Sequence, residues 1–388
     1  MIKLKTKIPG PRSITQLDKL KRRNLGWSIP HPLFLSGKGQ GVYCEDIDGN
    51  VFLDFASQVA SNPLGYNHAE MLEVIREYSN RFPVKLAGQD FSVEEQLELI
   101  EELLSISPKE MDAAFLSNSG TEAVENSIKM CLRRRAGAKI GISMEGAFHG
   151  RTLGSLSLTN SKAKYKHNFP TFPVLRLPFD ESAADELKRI VNKEYKPEDV
   201  GYVILEHFQG EGGYRIASQK MIKELRHTCR ENGIPYIADE VQSGLGRTGK
   251  WWMFENYGIV PEIFASAKAL QVGASVSSKR FYPTDIASIS GTWNGGHIID
   301  LALGAKTIQI IKKEKLMGKN RENGAYILKG LKGIRGIFNQ RGLGLMVAFD
   351  VADRTMRNHF VIEAAKMGLL VLGAGDKSVR IIPSYVIG

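Results

Sequence analysis

The sequence predicts an α/β protein, with a large domain around a mostly parallel central sheet and a smaller α+β domain drawn from both chain ends. Three observations predict it. From residue 112 onward, short apolar runs alternate with helical segments, which is the pattern of parallel strands covered by helices. Near the start, GVYCEDIDGNVFLDF (41–55) reads as a hairpin, and near the end a strand, a helix and two short strands supply matching pieces. The length, 388 residues with 43% hydrophobic and 24% charged positions, suits one large domain plus a smaller one. The expected division is 1–60 for the arm and hairpin, 61–295 for the large domain, and 296–388 for a connecting helix and the rest of the small domain.

Residues 1–40 read as an irregular arm, because Pro9, Pro11, Pro30 and Pro32 interrupt any long element. The hairpin follows, turning at residues 48–50. Apolar positions then recur at helical spacing over 69–81 and 92–104. In the alternating block, strands are expected at 113–116, 139–144, 201–205, 235–238 and 263–267, and helices at 122–135 and 219–231. A long helical pattern runs from 295 to 330. RGLGLMVAFDV reads as one strand, 357–367 as a helix, and LLVLG and SVRIIPS as a strand pair.

Composition excludes several classes. No apolar run approaches the roughly 20 residues that a membrane span needs. MIKLKTKIPGPRS is basic but no apolar stretch follows it, which argues against a secretory signal. Cys44, Cys131 and Cys229 have no metal-ligand spacing and leave one cysteine over in any pairing, so a reducing, cytoplasmic setting is expected and no metal site. The formal charge of +10 invites a nucleic-acid reading, with basic clusters at KLKRR (19–23) and CLRRR (131–135). No zinc finger, RRM aromatic pair or basic zipper accompanies them, and bulk charge alone reports only non-specific attraction.

Four segments carry chemistry. In SNSGTEAVENSIKM (117–130) a strand ends, Ser119, Gly120 and Thr121 turn, and a helix begins; its free N–H groups would suit an anion, or Ser119 or Thr121 simply caps it. In GAFHGRTLG (146–154), Phe148 could offer a flat face to an aromatic cofactor or merely fill core. His149 could be a hydrogen-bonded structural histidine, and Arg151 offers a rigid fork for a carboxylate. In IPYIADEVQSGLGRTGKW (234–251), an apolar strand delivers Asp239 to the carboxyl edge where α/β sheets collect ligands. A buried carboxylate there needs a cationic partner, and a protonated pyridine nitrogen is one. In IFASAKALQVGAS (263–275), Lys268 follows five small or apolar residues, which lowers its pKa and suits an amine that bonds to a carbonyl; a snorkelling surface lysine is the bland alternative.

NSGTEAVENSIK, GAFHGRTLG, EHFQGEGG, ADEVQSGLGRTGKWW and SAKA stand in the order and spacing of class-III aminotransferases, which the sequence resembles from residue 30 to its end. SLSLTNSKAKYKHNFPTF, LQVGAS, TWNGGHIIDLALGAKTI and RGLGLMVAFD are most similar to the lysine ε-aminotransferase group, with 4-aminobutyrate and ornithine aminotransferases as neighbours. The resemblance implies pyridoxal-phosphate fold type I and the cofactor pyridoxal 5'-phosphate. It makes Lys268 the Schiff-base lysine, Asp239 the partner of the ring nitrogen and Gln242 a contact of the ring hydroxyl. Ser119, Gly120 and Thr121 would hold the phosphate, and Phe148 and His149 would lie against the ring, with Glu206 a nearby carboxylate. Thr292 would reach the phosphate of the other subunit's cofactor, which implies a homodimer with sites at the subunit interface. Arg151 would hold the carboxylate of a donor whose reacting amine is distal. Glu211 and Arg380 would form a switching pair that masks the arginine for the donor and frees it for 2-oxoglutarate.

The implied reaction moves a distal amine, first that of L-lysine, to 2-oxoglutarate to give glutamate. 4-Aminobutyrate or ornithine transamination is the near alternative, and racemisation uses the same scaffold. A non-catalytic binding protein is the reading from another class, and Lys268 with Asp239 weighs against it. Three departures bear on substrate rather than cofactor: Glu206-His207 replaces Glu-Pro, Asn294-Gly295-Gly296 replaces Gly-Gly-Asn, and SQVASNPLG (57–65) lacks the Gly-Ile pair of many members. The chain stops at Ile387-Gly388 where relatives continue with a helix, so an absent or unusually short C-terminus is expected.

Overall fold

The computed structural model describes residues 1–23, 31–81, 85, 88, 90–285, 288–289, 293–295 and 297–388, so Pro30 and Thr292 lie outside the described residues. Its centre is a seven-stranded sheet. In chain order the strands are β1 (Ala113–Ser117), β2 (Ile140–Met144), β3 (Val174–Leu177), β4 (Val200–Leu205), β5 (Tyr236–Asp239), β6 (Ile263–Ser266) and β7 (Gly273–Ser277). In space they run β1-β7-β6-β5-β4-β2-β3. Only β7 runs against the rest, pairing antiparallel with both β6 and β1. The strands β2, β4, β5, β6 and β7 are buried throughout their length, as a sheet with both faces covered requires. The mostly parallel α/β sheet is therefore as the alternation of strands and helices predicts.

One consequence positions everything else. Because β1, β2, β4, β5 and β6 point the same way, their carboxyl ends lie along one edge, and the turns that follow them share one space.

Besides the two-stranded pair Phe208–Gln209 and Arg215–Ile216, the chain forms two four-stranded sheets. The hairpin Tyr43–Asp46 and Val51–Asp54 joins Leu35–Gln40 on one side and, on the other, Leu369–Leu370 from the far end of the chain. Asp46 fixes the hairpin turn by accepting from Asp48 N–H at 2.9 Å and Asn50 N–H at 2.8 Å. The second sheet has the order Phe338–Leu343, Met346–Asp350, Ser378–Ile381, Leu372–Ala374.

Several local expectations are corrected. The N-terminal arm is not irregular throughout: Pro11–Arg23 is a helix and Leu35–Gln40 a strand. Pro11 occupies the first helical turn, where a missing N–H costs nothing, and Asp48 receives the N–H groups of Arg12 and Ser13, each at 2.8 Å. The long helical pattern after 295 is two helices, Ile298–Lys313 and Leu316–Leu331, parted at Lys315, whose φ is +53°. RGLGLMVAFDV is a hairpin, not one strand, because Gly344 turns at φ +56°, and a side chain there would meet the backbone of Arg247 and Thr248. Among the described residues no helix is long and apolar enough to cross a membrane.

Candidate active site

The turns beyond the aligned strand ends enclose a cavity of about 690 Å³, within the range of ligand pockets. Beyond β1, the helix Gly120–Arg134 opens into it. Ser119 caps this helix, its hydroxyl accepting from Glu122 N–H at 3.3 Å, and does not line the cavity; Gly120 and Thr121 do. Glycine is required at 120, since a Cβ there would stand 2.7 Å from Val241 Cγ1. A helix start with small residues facing a cavity is suited to an anion.

Beyond β2, Phe148, His149, Gly150 and Arg151 all line the cavity. Phe148 N–H donates to Glu206 Oε2 at 2.9 Å, and Gly210 N–H to Glu206 Oε1 at 2.9 Å, so the residue beyond β4 clips two turns together. Burial raises the Glu206 carboxyl to about 7 against the pull of His149, and the charge of Asp239 adds to the rise.

Asp239 ends β5. Its Oδ2 meets His149 Nδ1 at 2.7 Å, and its Oδ1 accepts from Val241 N–H at 3.0 Å. The register pairs Asp239 with Ala265, so Lys268, three residues further on, emerges beside it. Lys268 lines the same cavity and adopts φ +48°, a left-handed backbone that is uncommon for a residue with a side chain. Burial lowers its amine to about 8; Arg380 pushes the same way, while Glu211, Glu206 and Asp239 oppose. Gln242 also lines the cavity.

Glu211 lies between the short strands Phe208–Gln209 and Arg215–Ile216. Its Oε1 accepts from Arg380 Nη2 at 2.6 Å and its Oε2 from Lys162 Nζ at 3.0 Å. Burial alone would raise the Glu211 carboxyl, but Arg380 and Lys162 overcome it and hold it down to about 2. Arg380 is 5% exposed and comes from the strand Ser378–Ile381. Arg151, by contrast, is exposed, and among the described residues it makes no ion pair or hydrogen bond.

The site fits pyridoxal phosphate. Gln242 Oε1 and His149 Nε2 are buried without a hydrogen-bond partner among the described residues, which leaves two polar atoms for a ligand to satisfy. A carboxylate, a lysine of lowered pKa and a helix start line one cavity, and a pyridinium nitrogen, an aldehyde carbon and a phosphate call for those three groups.

Gly120, Thr121, Phe148, His149, Arg151, Glu206, Glu211, Asp239, Gln242 and Lys268 are thus brought to one cavity. Arg380 joins through Glu211, Ser119 stands behind as a cap, and Thr292 lies outside the described residues. Reasoning from sequence missed Val59, Tyr165 and Thr152 in the lining, and Lys162 on Glu211. Lys162 sits in NSKAKYK, where nothing distinguishes one lysine from the next.

Comparison with known proteins bears on the whole chain. A family model described as aminotransferase class-III matches residues 28–388. Human mitochondrial 4-aminobutyrate aminotransferase is 31% identical, over 99% of this chain and 87% of the relative. Acetylornithine aminotransferase of Methanosarcina mazei is 34% identical, over 92% of this chain and 88% of the relative. Among solved structures, lysine aminotransferase from M. tuberculosis superposes with a TM-score of 0.87 at 25% identity, covering 96% of this chain and 94% of that one.

Proposed function

The chain belongs to the class-III aminotransferases, which depend on pyridoxal phosphate, and from that premise we propose that it moves a distal amino group to 2-oxoglutarate, forming glutamate. L-Lysine is the leading donor, which the likeness to a lysine aminotransferase supports. 4-Aminobutyrate and ornithine-type donors follow, supported by relatives named 4-aminobutyrate aminotransferase and acetylornithine aminotransferase.

One observation carries the distal-amine reading: the site holds two arginines in opposite states. Arg151 is exposed and unpaired among the described residues, while Arg380 is buried and masked by Glu211 at 2.6 Å. A donor whose carboxylate lies far from its reacting amine needs one guanidinium at a distance and none beside the reacting carbon. A dicarboxylate acceptor needs both, so Glu211 must let go of Arg380 between the two halves of the cycle.

Pyridoxal phosphate, when bound, supplies an aldehyde carbon that bonds to amines and a cationic ring that draws electrons from the carbon bearing them. The residues have matching tasks. Gly120 and Thr121 would hold the anionic end at the helix start, and Phe148 would offer a flat apolar surface to the ring. Asp239, held by His149 and Val241 N–H, would keep the ring nitrogen cationic, and the open Gln242 Oε1 would accept from the ring hydroxyl. Lys268 would act as general base and acid: with burial lowering its amine to about 8, its Nζ would take the proton from the carbon that bears the donor's amine and deliver it to the carbon that was the cofactor's aldehyde.

We propose that the working enzyme is a homodimer, and three buried free thiols support a reducing, cytoplasmic compartment. A panel with 2-oxoglutarate as acceptor tests the reaction, comparing lysine, ornithine, 4-aminobutyrate and simple α-amino acids. Distal amines are expected to lead; turnover confined to aliphatic α-amines would sink the proposal. Loss of optical rotation without amine transfer would identify a racemase.

A further inference from the structure

Glu211 is bound by two cations, one on each oxygen. Arg380 Nη2 lies 2.6 Å from Oε1, and Lys162 Nζ lies 3.0 Å from Oε2. The three side chains form a gradient of burial, 6% exposed for Arg380, 17% for Glu211 and 34% for Lys162. The two cations come from separate parts of the fold: Arg380 from a strand of the C-terminal sheet, Lys162 from the segment after the helix Leu153–Leu158. Lys162 also reaches the Tyr165 hydroxyl at 3.3 Å, and Tyr165 lines the cavity.

The backbone that carries Glu211 is pinned. Its carbonyl accepts from Gly375 N–H at 2.9 Å, Arg341 Nε donates to the Tyr214 carbonyl at 2.9 Å, and Arg341 Nη2 donates to the Gly213 carbonyl. Any switching is therefore a movement of the Glu211 side chain and not of its loop. Letting go of Arg380 breaks the contact of one oxygen only, and the other keeps its ammonium.

We propose that Lys162 is a positioning residue that retains Glu211 whenever Arg380 is surrendered to the acceptor's carboxylate. The inference rests on the Glu211–Arg380 switch put forward above. A carboxylate this enclosed is costly without a counter-ion and would re-pair with Arg380, competing with the incoming ligand. Lys162 removes that competition, and its partial exposure lets the ammonium follow the carboxylate outward. It sets how readily Arg380 is unmasked, and therefore the affinity for the dicarboxylate and not for the donor.

Equilibrium binding of glutarate, an unreactive dicarboxylate, to the holoenzyme measures this by calorimetry, with pentanoate as a single-carboxylate control. Lys162→Met is expected to weaken glutarate by roughly tenfold, the scale of a coupling between neighbouring charges, and to leave pentanoate unchanged. Lys162→Arg should restore glutarate affinity. In a Glu211→Ala background, where no mask remains, Lys162→Met should have no further effect. A loss that persists in that background would show Lys162 touching the ligand itself, and equal losses for glutarate and pentanoate would show a misshapen cavity; either overturns the proposal. So would full glutarate affinity in Lys162→Met. Arg380→Met separates the two levels: if it too leaves glutarate binding intact, the switch reading fails, whereas weakening by Arg380→Met alone removes only the role of Lys162.

Discussion

His149 and Asp239 meet at 2.7 Å, Nδ1 to Oδ2, with their side chains 0% and 5% exposed. One comes from the turn after β2 and the other from the end of β5, so their hydrogen bond ties two strand ends together. With Val241 N–H on the second oxygen, the carboxylate cannot rotate away from the cavity. Asp239→Asn keeps the shape but removes the charge proposed to face the cofactor ring. We expect turnover to fall by about 10²–10³, the cost of losing one preorganised electrostatic partner. His149→Ala leaves the charge but frees its orientation, for a loss nearer 10²-fold or below. Steady-state rates of the two variants, compared at saturating cofactor, check the order; His149→Ala outweighing Asp239→Asn would contradict it.

Much of this site was legible because its residues follow apolar runs by only a few positions. Asp239 ends an apolar strand, Glu206 directly follows one and Lys268 stands two residues beyond another, so strand pattern and chemistry coincide in the sequence. What stayed hidden depends on partners distant along the chain. The helix Pro11–Arg23 buries only Ser13 and Leu17 and takes its cap from Asp48, far along the chain, so no local capping side chain announces it. The strand Gly273–Ser277 is made of small residues with a single valine, and its place between β1 and β6 comes from the sheet, not from its own composition. Lys162 becomes visible only when the fold brings it to a carboxylate 49 residues away.

Lys268 is the residue expected to bond covalently to the cofactor. Borohydride treatment of the yellow holoenzyme, followed by peptide mapping, should place a pyridoxyl adduct on the peptide containing Lys268. Lys268→Ala should show no adduct and lose on the order of 10²–10⁴ in turnover, the contribution of a positioned acid–base group. An adduct on any other lysine would remove the assignment.

Arg151 should matter in both halves of the cycle, and Arg380 in the acceptor half alone. Arg151→Ala removes the exposed fork proposed for the donor's remote carboxylate, so kcat/KM for lysine or 4-aminobutyrate should drop by about 10- to 100-fold, the worth of a charge-assisted pair. Arg380→Lys keeps a charge for Glu211 but loses the planar fork. It should therefore raise the 2-oxoglutarate KM while sparing the donor half-reaction. Single-turnover measurements of each half-reaction separate the two effects, and an unchanged donor half-reaction in Arg151→Ala would show that the carboxylate binds elsewhere.

His207 ties a buried ring to a stability change with pH. Its ring is fully enclosed, stacks on Tyr257 at 5.4 Å, meets the Tyr236 hydroxyl at 3.0 Å, and leaves Nδ1 3.9 Å from Glu240 Oε1. Burial lowers its pKa from 6.5 to about 3. The folded state therefore holds His207 neutral where the unfolded chain takes up a proton, and between pH 6.5 and 3 unfolding binds the extra proton. The stability associated with neutral His207 is present in full above pH 6.5 and is lost as pH falls toward 3, by up to about 1.4 kcal/mol per pH unit. His207→Phe preserves the stacking and removes the titration; the Tyr236 hydroxyl it strands adds an offset that does not vary with pH across this range. Urea unfolding of both proteins at several values between pH 4.5 and 8 should give parallel stabilities above 6.5. Below 6.5 the wild type should fall away from the variant, and curves that stay parallel throughout would mean that His207 carries its proton into the core.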